Sequence, residues 1–70
     1  MKLRELVAIN LRRLRREKSL SQEELAHRAG INRNYVGMLE REQHAATTDM
    51  LEKLAEVLGC DPMEFFRRKR

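Results

Sequence analysis

Residues 21–41 contain two short helical patterns separated by a tight turn, and this arrangement restricts the possible folds more than any other feature of the chain. Ser21 and Glu24 have the spacing of a capping box, which predicts the start of a helix. Gly30 predicts its end, because glycine adopts the left-handed conformation after a helix without a steric penalty. Asn32 then predicts the cap of a second helix. Two helices joined in this way present the second one outward, in a shape that fits a groove.

Three further helices are predicted around this pair. Residues 2–18 carry an amphipathic stripe at spacings of three and four, formed by Leu3, Leu6, Val7, Leu11 and Leu14. A threonine cap at position 47 or 48 and a stop at Gly59 delimit a fourth helix. Asp61, Pro62 and Glu64 predict the start of a fifth. No segment alternates with period two, so we expect an all-α, compact five-helix domain spanning residues 1–70.

The composition argues against several classes of protein. One cysteine in 70 residues permits no intrachain disulfide, and Cys60, His27 and His44 lack zinc-site spacing. The longest apolar run, residues 6–9, is far shorter than the ~20 residues of a membrane span, and no signal-type segment is present. No phosphate loop or catalytic constellation appears. We expect a cytoplasmic, non-enzymatic protein with no metal, cofactor, membrane or small-molecule ligand.

The net charge of +4 is unevenly distributed along the chain. Residues 1–18 hold seven Lys/Arg against two acidic residues, whereas residues 47–66 hold five acidic residues against one lysine. This asymmetry fits one polyanion-facing side, and an ordinary solvated helix surface is the alternative. The basic tail 67–70 is either a solvated end or a second phosphate-binding element.

Four runs in the helical pair carry a family signature: Leu-Ser-Gln-Glu-Glu-Leu-Ala at 20–26, Ala-Gly-Ile at 29–31, Tyr-Val at 35–36 and Leu-Glu-Arg at 39–41. Ala26 is small where the two helices cross, and Gly30 permits the turn. These runs resemble the phage lambda-repressor and Cro-like (XRE-type) DNA-binding family. The resemblance covers most of the chain and implies a helix-turn-helix at helices 2 and 3.

The resemblance implies that helix 33–41 enters the major groove of double-stranded DNA and that Arg33, Asn34 and Met38 read base edges. The helical wheel independently places these three side chains on the face opposite Tyr35, Val36 and Leu39. Arginine pairs with guanine and asparagine with adenine, whereas methionine contacts only a thymine methyl group.

Five residues are expected to contact the DNA backbone: Ser21, Gln22, Asn32, Arg16 and Arg41. Ser21 and Gln22 lie at a helix N-terminus, where free N–H groups attract anions. For Asn32, helix capping alone is the alternative. The loop 42–46 contains no Lys or Arg, so His44 or Gln43 would have to replace a basic contact there, or the loop is simply solvated.

Two positions in the presented helix have further implied roles. The resemblance pairs Glu40 with Arg15 in a buried ion pair that joins the first helix to the third, and their wheel positions allow it. Gly37 weakens a helix, so it is either a neutral residue on an exposed face or a point of close approach to DNA.

The remaining apolar residues near the C-terminus predict a homodimer. The candidate interface consists of Cys60, Met63, Phe65 and Phe66, some of which must also close the monomer core. A dimer would bind two half-sites of a pseudo-palindromic operator. The expected function is a small transcriptional regulator, similar in size to restriction-modification controller proteins and small phage regulators. The alternatives are an antitoxin with a toxin partner and a protein-interaction module without DNA binding.

Overall fold

Four α-helices and one short 3-10 helix make up the part of the chain that the computed structural model describes, residues 1–68. They are α1 (Leu3–Glu17), α2 (Gln22–Ala29), α3 (Arg33–Glu40), α4 (Thr48–Leu58) and the 3-10 helix Pro62–Phe66. No β-strand occurs between residues 1 and 68, which confirms the all-helical prediction for these residues. Positions 69 and 70 of the predicted basic tail lie outside the described residues.

The prediction of a fifth α-helix was wrong, because the segment after Asp61 forms a single 3-10 helix. Its start follows the predicted signals: the Asp61 side chain accepts a hydrogen bond from the Met63 N–H at 2.8 Å, and Pro62 follows the cap. The next backbone bonds span three residues, as in the bond from the Glu64 N–H to the Asp61 carbonyl. The Asn10 amide then engages the carbonyls that a longer helix would need.

Asn10 is a buried polar residue of α1 that fastens the C-terminal segment. Its Nδ2 donates to the carbonyls of Phe65 at 2.9 Å and Arg67 at 2.8 Å, and it also lies 3.1 Å from the Leu6 carbonyl of its own helix. Asn10 is only 4% exposed, so these bonds replace the water that its amide loses on burial. The sequence pattern did not predict this role, because the carbonyls that Asn10 binds lie more than fifty residues away along the chain.

Both ends of α2 and the start of α4 form as their local sequence predicts. The Ser21 hydroxyl accepts from the Glu24 N–H, and the Glu24 carboxylate accepts from the Ser21 N–H, both at 3.0 Å. Gly30 has φ 69° and ends α2 in the left-handed conformation. Thr47 rather than Thr48 caps α4, since its hydroxyl accepts from the Met50 N–H at 3.1 Å.

One hydrophobic cluster receives side chains from all five helical segments. Its largest fully enclosed members are Leu11, Leu25, Val36, Leu39, Leu54, Leu58 and Phe65. The predicted stripe of α1 is buried from Leu6 onward. Leu3 was wrongly included, because it lies in the first turn of α1 and remains 60% exposed. Helix α1 packs on α3 and the 3-10 helix, while α2 packs on α3 and α4. This arrangement fixes α3 from its apolar side and leaves its other side facing outward.

Candidate nucleic-acid interface

A polar depression of about 390 Å³ lies where the N-terminus of α2 meets the outward side of α3. Its lining residues are Arg15, Ser21, Gln22, Glu23, Arg33, Asn34, Gly37 and Arg41. Helix α3 is held behind this surface by Val36 and Leu39, which are at most 1% exposed. The depression thus gathers five of the predicted DNA-contacting residues on one face of the molecule.

The predicted base-reading residues differ in exposure. Arg33 and Asn34 are exposed in the first turn of α3, whereas Met38, one turn later, is half-buried. The Arg33 guanidinium forms a salt bridge with the Glu23 carboxylate of α2 at 2.7 Å, and both side chains are about two-thirds exposed, at 66% and 70%. Sequence reasoning missed Glu23, because nothing in a linear pattern indicates that the first turns of α2 and α3 lie side by side.

Two of the predicted phosphate contacts also act as helix caps. Ser21 closes the capping box of α2 through its oxygen, which leaves its O–H hydrogen as a donor. The Asn32 side-chain oxygen accepts from the Asn34 N–H at 2.7 Å, which leaves the Asn32 amide nitrogen as a donor. Capping and binding an anion are therefore compatible at both residues.

The structure brings together Arg15 and Glu40, at the junction of α1 and α3. The Arg15 Nε lies 2.6 Å from one Glu40 carboxylate oxygen and its Nη2 lies 3.1 Å from the other, which is a bidentate geometry. The remaining Nη1 donates to the Leu20 carbonyl at 2.8 Å. The ion pair thus links α1, the start of the helical pair and α3.

Glu40 also receives hydrogen bonds from two further residues. Gln22 Nε2 donates to its carboxylate at 3.0 Å, and Arg12 Nη2 donates to its backbone carbonyl at 2.6 Å. Burial opposes the charge of Glu40, but the hydrogen bonds from Arg15 and Gln22 and the nearby positive charges outweigh it and lower the pKa of Glu40. The hydrogen bond to Glu40 raises the pKa of Arg15. Gln22, expected at a phosphate, is therefore tied to this network by its amide nitrogen.

Arg41, at the C-terminus of α3, folds back along the helix. Its Nε donates to the Gln43 side-chain oxygen at 3.1 Å, and its guanidinium lies over Gly37. Gly37 is consequently buried, so its placement on an exposed face was wrong. Arg16, in contrast, is exposed on α1 and does not line the depression.

Comparison with known proteins decides the family. Residues 11–65 match the family model described as Helix-turn-helix. The chain belongs to the XRE-type helix-turn-helix family. It is 44% identical over 64 residues to the uncharacterized HTH-type transcriptional regulator y4dJ of Sinorhizobium fredii, with 91% of this chain and 83% of that protein covered. It is 35% identical over 69 residues to the control protein C.SmaI of Serratia marcescens, with 99% of this chain and 82% of that protein covered.

The fold agrees with a solved member of this helix-turn-helix family. The restriction-modification controller protein C.AhdI from Aeromonas hydrophila superimposes with a TM-score of 0.86 at 41% sequence identity. The superposition covers 90% of this chain and 96% of that chain. The two helices to which the sequence signature assigned the helix-turn-helix are α2 and α3.

Residues 42–46, which follow Arg41 and lead to α4, contain no Lys or Arg. Glu42 adopts a left-handed conformation there, with φ 63°. The His44 ring packs edge-on against Tyr35 of α3, with 5.1 Å between the ring centroids. This contact holds the loop beside α3, close to the predicted interface.

The residues predicted for the dimer interface separate into three groups by their exposure. Phe65 was wrongly assigned, because it is completely buried in the monomer core, where the 3-10 helix directs it beneath α1 and α4. Cys60 and Phe66 are half-buried against the same core. Burial and the charge of Glu64 raise the pKa of the Cys60 thiol. Met63 is 68% exposed and is the member of the set most open to a partner.

Residues 1–68 contain neither a candidate metal site nor a candidate membrane-spanning helix. No cluster of three or more His, Cys, Asp or Glu side chains has a geometry that could hold a metal ion. No helix there has both the length and the apolar character to cross a membrane.

Proposed function

We propose that this helix-turn-helix protein is a sequence-specific, double-stranded DNA-binding transcriptional regulator. Helix α3 would lie in the major groove and the N-terminus of α2 would sit against the phosphate backbone. The relatives named as transcriptional regulators and as a restriction-modification controller support this function. The antitoxin and protein-module alternatives have no such specific support.

The observation that carries the proposal is the two-sidedness of α3. Val36 and Leu39 anchor one side in the core, while Arg33 and Asn34 are exposed on the other, beside the α2 N-terminus. A helix must be held in this way to present its polar side to base edges at a fixed angle. Arg33 offers two parallel donors for guanine, and Asn34 offers a donor and an acceptor for adenine.

Contacts to the backbone would surround this reading surface. Ser21 and Asn32 keep free donor hydrogens at helix N-termini, where oriented N–H groups favour a phosphate. Arg16 adds positive charge outside the depression. Gln22 contributes less than its position suggests, since its amide nitrogen is already bonded to Glu40. In this arrangement Gln22 would orient the ion pair and would not contact the DNA directly.

The active form would be a homodimer on a pseudo-palindromic operator. One recognition helix contacts few base pairs, and a dimer doubles them at half-sites about one helical turn apart. Met63 would form the centre of the interface, with Cys60 and Phe66 at its margin. Phe65 is excluded, because it is already enclosed by its own core.

Selection of bound duplexes from a random-sequence pool tests this function. We expect enrichment of a two-fold symmetric site, and affinity for that site that falls steeply as salt rises, since phosphate contacts release counterions. Failure to enrich any sequence, together with binding that does not depend on salt, would contradict DNA binding. Such a result would instead favour a protein partner.

A further inference from the structure

Arg41 and Gly37 form a close pair on the outward side of α3. They are four residues apart, so they lie one above the other on the same helix face. The Arg41 side chain leans toward the N-terminus of α3, as helical side chains do, and this brings its guanidinium over Gly37. The two residues line the same depression as Arg33 and Asn34.

The absence of a side chain at position 37 leaves room for the end of the Arg41 side chain. A Cβ atom at this position would lie 2.9 Å from Arg41 Nη1, closer than real side chains approach, and 3.5 Å from both Arg41 Nη2 and the Gln22 side-chain oxygen. The positive-φ glycines among residues 1–68 are Gly30 and Gly59, so Gly37 keeps an ordinary helical backbone that any residue can adopt. Folding alone would favour alanine here, because glycine weakens a helix interior.

We infer that Gly37 is a positioning residue for Arg41, and that the pair adds a specificity-determining contact to the read-out of DNA. This inference rests on the proposed function. With Gly37 beneath it, the guanidinium lies over α3, on the side that would face the base edges, instead of extending past the end of the helix. The Gln43 oxygen accepts from Nε at 3.1 Å and steadies the group from the loop.

The chemistry of the exposed end of Arg41 fits a guanine. Because Nε is directed toward Gln43, the two terminal nitrogens are the donors left to face the DNA. A pair of parallel N–H donors matches the O6 and N7 acceptors of guanine in the major groove. The sequence placed Arg41 at the DNA backbone, and the geometry points to the base edges.

Three variants test the pair: Gly37→Ala, Arg41→Ala and the double variant. Each is titrated with a duplex selected by the wild-type chain from a random pool, and with an unselected duplex of equal length. Lys53→Ala is the charge-matched control, since Lys53 is exposed on α4 outside the depression. Thermal unfolding of each variant is measured alongside.

We expect Gly37→Ala to unfold at the same temperature as the wild type or higher, since the added methyl group displaces only the end of a flexible side chain. Its affinity for the selected duplex should nevertheless fall about tenfold more than its affinity for the unselected duplex. Arg41→Ala should show the same selective loss, and the double variant should bind like Arg41→Ala. Lys53→Ala should weaken both duplexes equally, if at all.

Several results would overturn the inference. Wild-type affinity of Gly37→Ala would show that Arg41 needs no room above position 37. Equal losses on both duplexes would make Arg41 a phosphate contact, and additive losses would separate the two residues. In each of these cases the wild type still selects a duplex, so the proposed function stands. A wild-type chain that selects no duplex refutes the proposed function and this inference together.

Discussion

At the scale of single residues, Arg33 is already engaged before any DNA is present. Its guanidinium lies 2.7 Å from the Glu23 carboxylate, in a salt bridge exposed to water. Exposed pairs of this kind contribute only about 0.2–1 kcal/mol, so a guanine can replace Glu23 at small cost. Glu23 also places a negative charge next to the expected path of the phosphates. We therefore expect it to weaken binding to DNA that offers no guanine in the right place.

Glu23→Gln should raise the affinity for unselected duplexes about two- to fivefold, because it removes both the competing partner of Arg33 and a repulsive charge. Affinity for the selected duplex should rise less, so that discrimination falls. Fluorescence titration at one fixed salt concentration measures both. Glu52→Gln, which neutralises an exposed carboxylate on α4, is the matched control and should leave both values unchanged. Unchanged or weaker binding by Glu23→Gln would contradict this role.

The ion pair between Arg15 and Glu40 should be the most costly polar contact to break. Arg15→Met is expected to lower the free energy of unfolding by about 3–5 kcal/mol near pH 7, because it leaves the buried Glu40 carboxylate without its main partner. Denaturant unfolding at low temperature measures this loss in the free energy of unfolding. Arg16→Met, an exposed change of the same type on α1, should cost far less.

The same variant has a pH dependence with a defined sign. The pKa of Glu40 is lowered in the folded state, so its contribution to stability is complete above the ordinary glutamate pKa of about 4.3 and disappears as the pH falls through the folded value. The difference between wild type and Arg15→Met should therefore shrink on acidification. A difference that stays constant down to pH 3 would assign the loss to packing.

At the scale of elements, the sequence predicted what local chemistry determines. Caps and stops form where the residue types favour them: at Ser21 with Glu24, at Gly30, and at Asp61 with Pro62. These could be predicted because capping depends on neighbours within three residues. The same signals did not determine the length of the last helix. That depends on Asn10, which lies more than fifty residues away and binds the carbonyls of Phe65 and Arg67.

The candidate site likewise combines features that the sequence predicted with contacts that it could not predict. A helical wheel places Arg33 and Asn34 outward, because the wheel depends only on helical geometry. It fails at Gly37, where the folded-back side chain of Arg41 covers the helix, and it cannot show that Glu23 meets Arg33. Both contacts depend on how α3 sits against its surroundings, which spacing along the chain does not encode.

Asn10 should couple α1 to the C-terminal 3-10 helix. Asn10→Ala is expected to lower the free energy of unfolding by about 1–3 kcal/mol, since it leaves the Phe65 and Arg67 carbonyls without this donor. Hydrogen exchange should accelerate at the backbone amides of residues 64–67 more than in α2. If exchange rises uniformly along the chain, Asn10 supports the whole core and not this junction.

At the scale of the whole molecule, basic residues outside the polar depression should strengthen binding to any duplex equally, whereas the outward side of α3 should distinguish sequences. Arg16 is exposed on α1, outside the polar depression, and α1 contains most of the basic residues of the first eighteen. Arg16→Ala should weaken selected and unselected duplexes by the same factor and reduce the salt dependence of binding by about one phosphate contact. Titrations at several salt concentrations measure this dependence, and an unchanged slope would place Arg16 away from the DNA.

The central claim is that the outward side of α3 reads the major groove. The most direct test replaces guanines of the selected duplex one at a time, by 7-deazaguanine, which lacks the N7 acceptor of the major groove, or by inosine, which lacks the minor-groove amino group. One 7-deazaguanine in each half-site should cost the wild type about 1–3 kcal/mol of binding free energy. Arg33→Ala should already have lost that energy and be insensitive to the same replacement. Sensitivity to inosine alone, or an equal response of both proteins to every 7-deazaguanine, would contradict major-groove reading by Arg33.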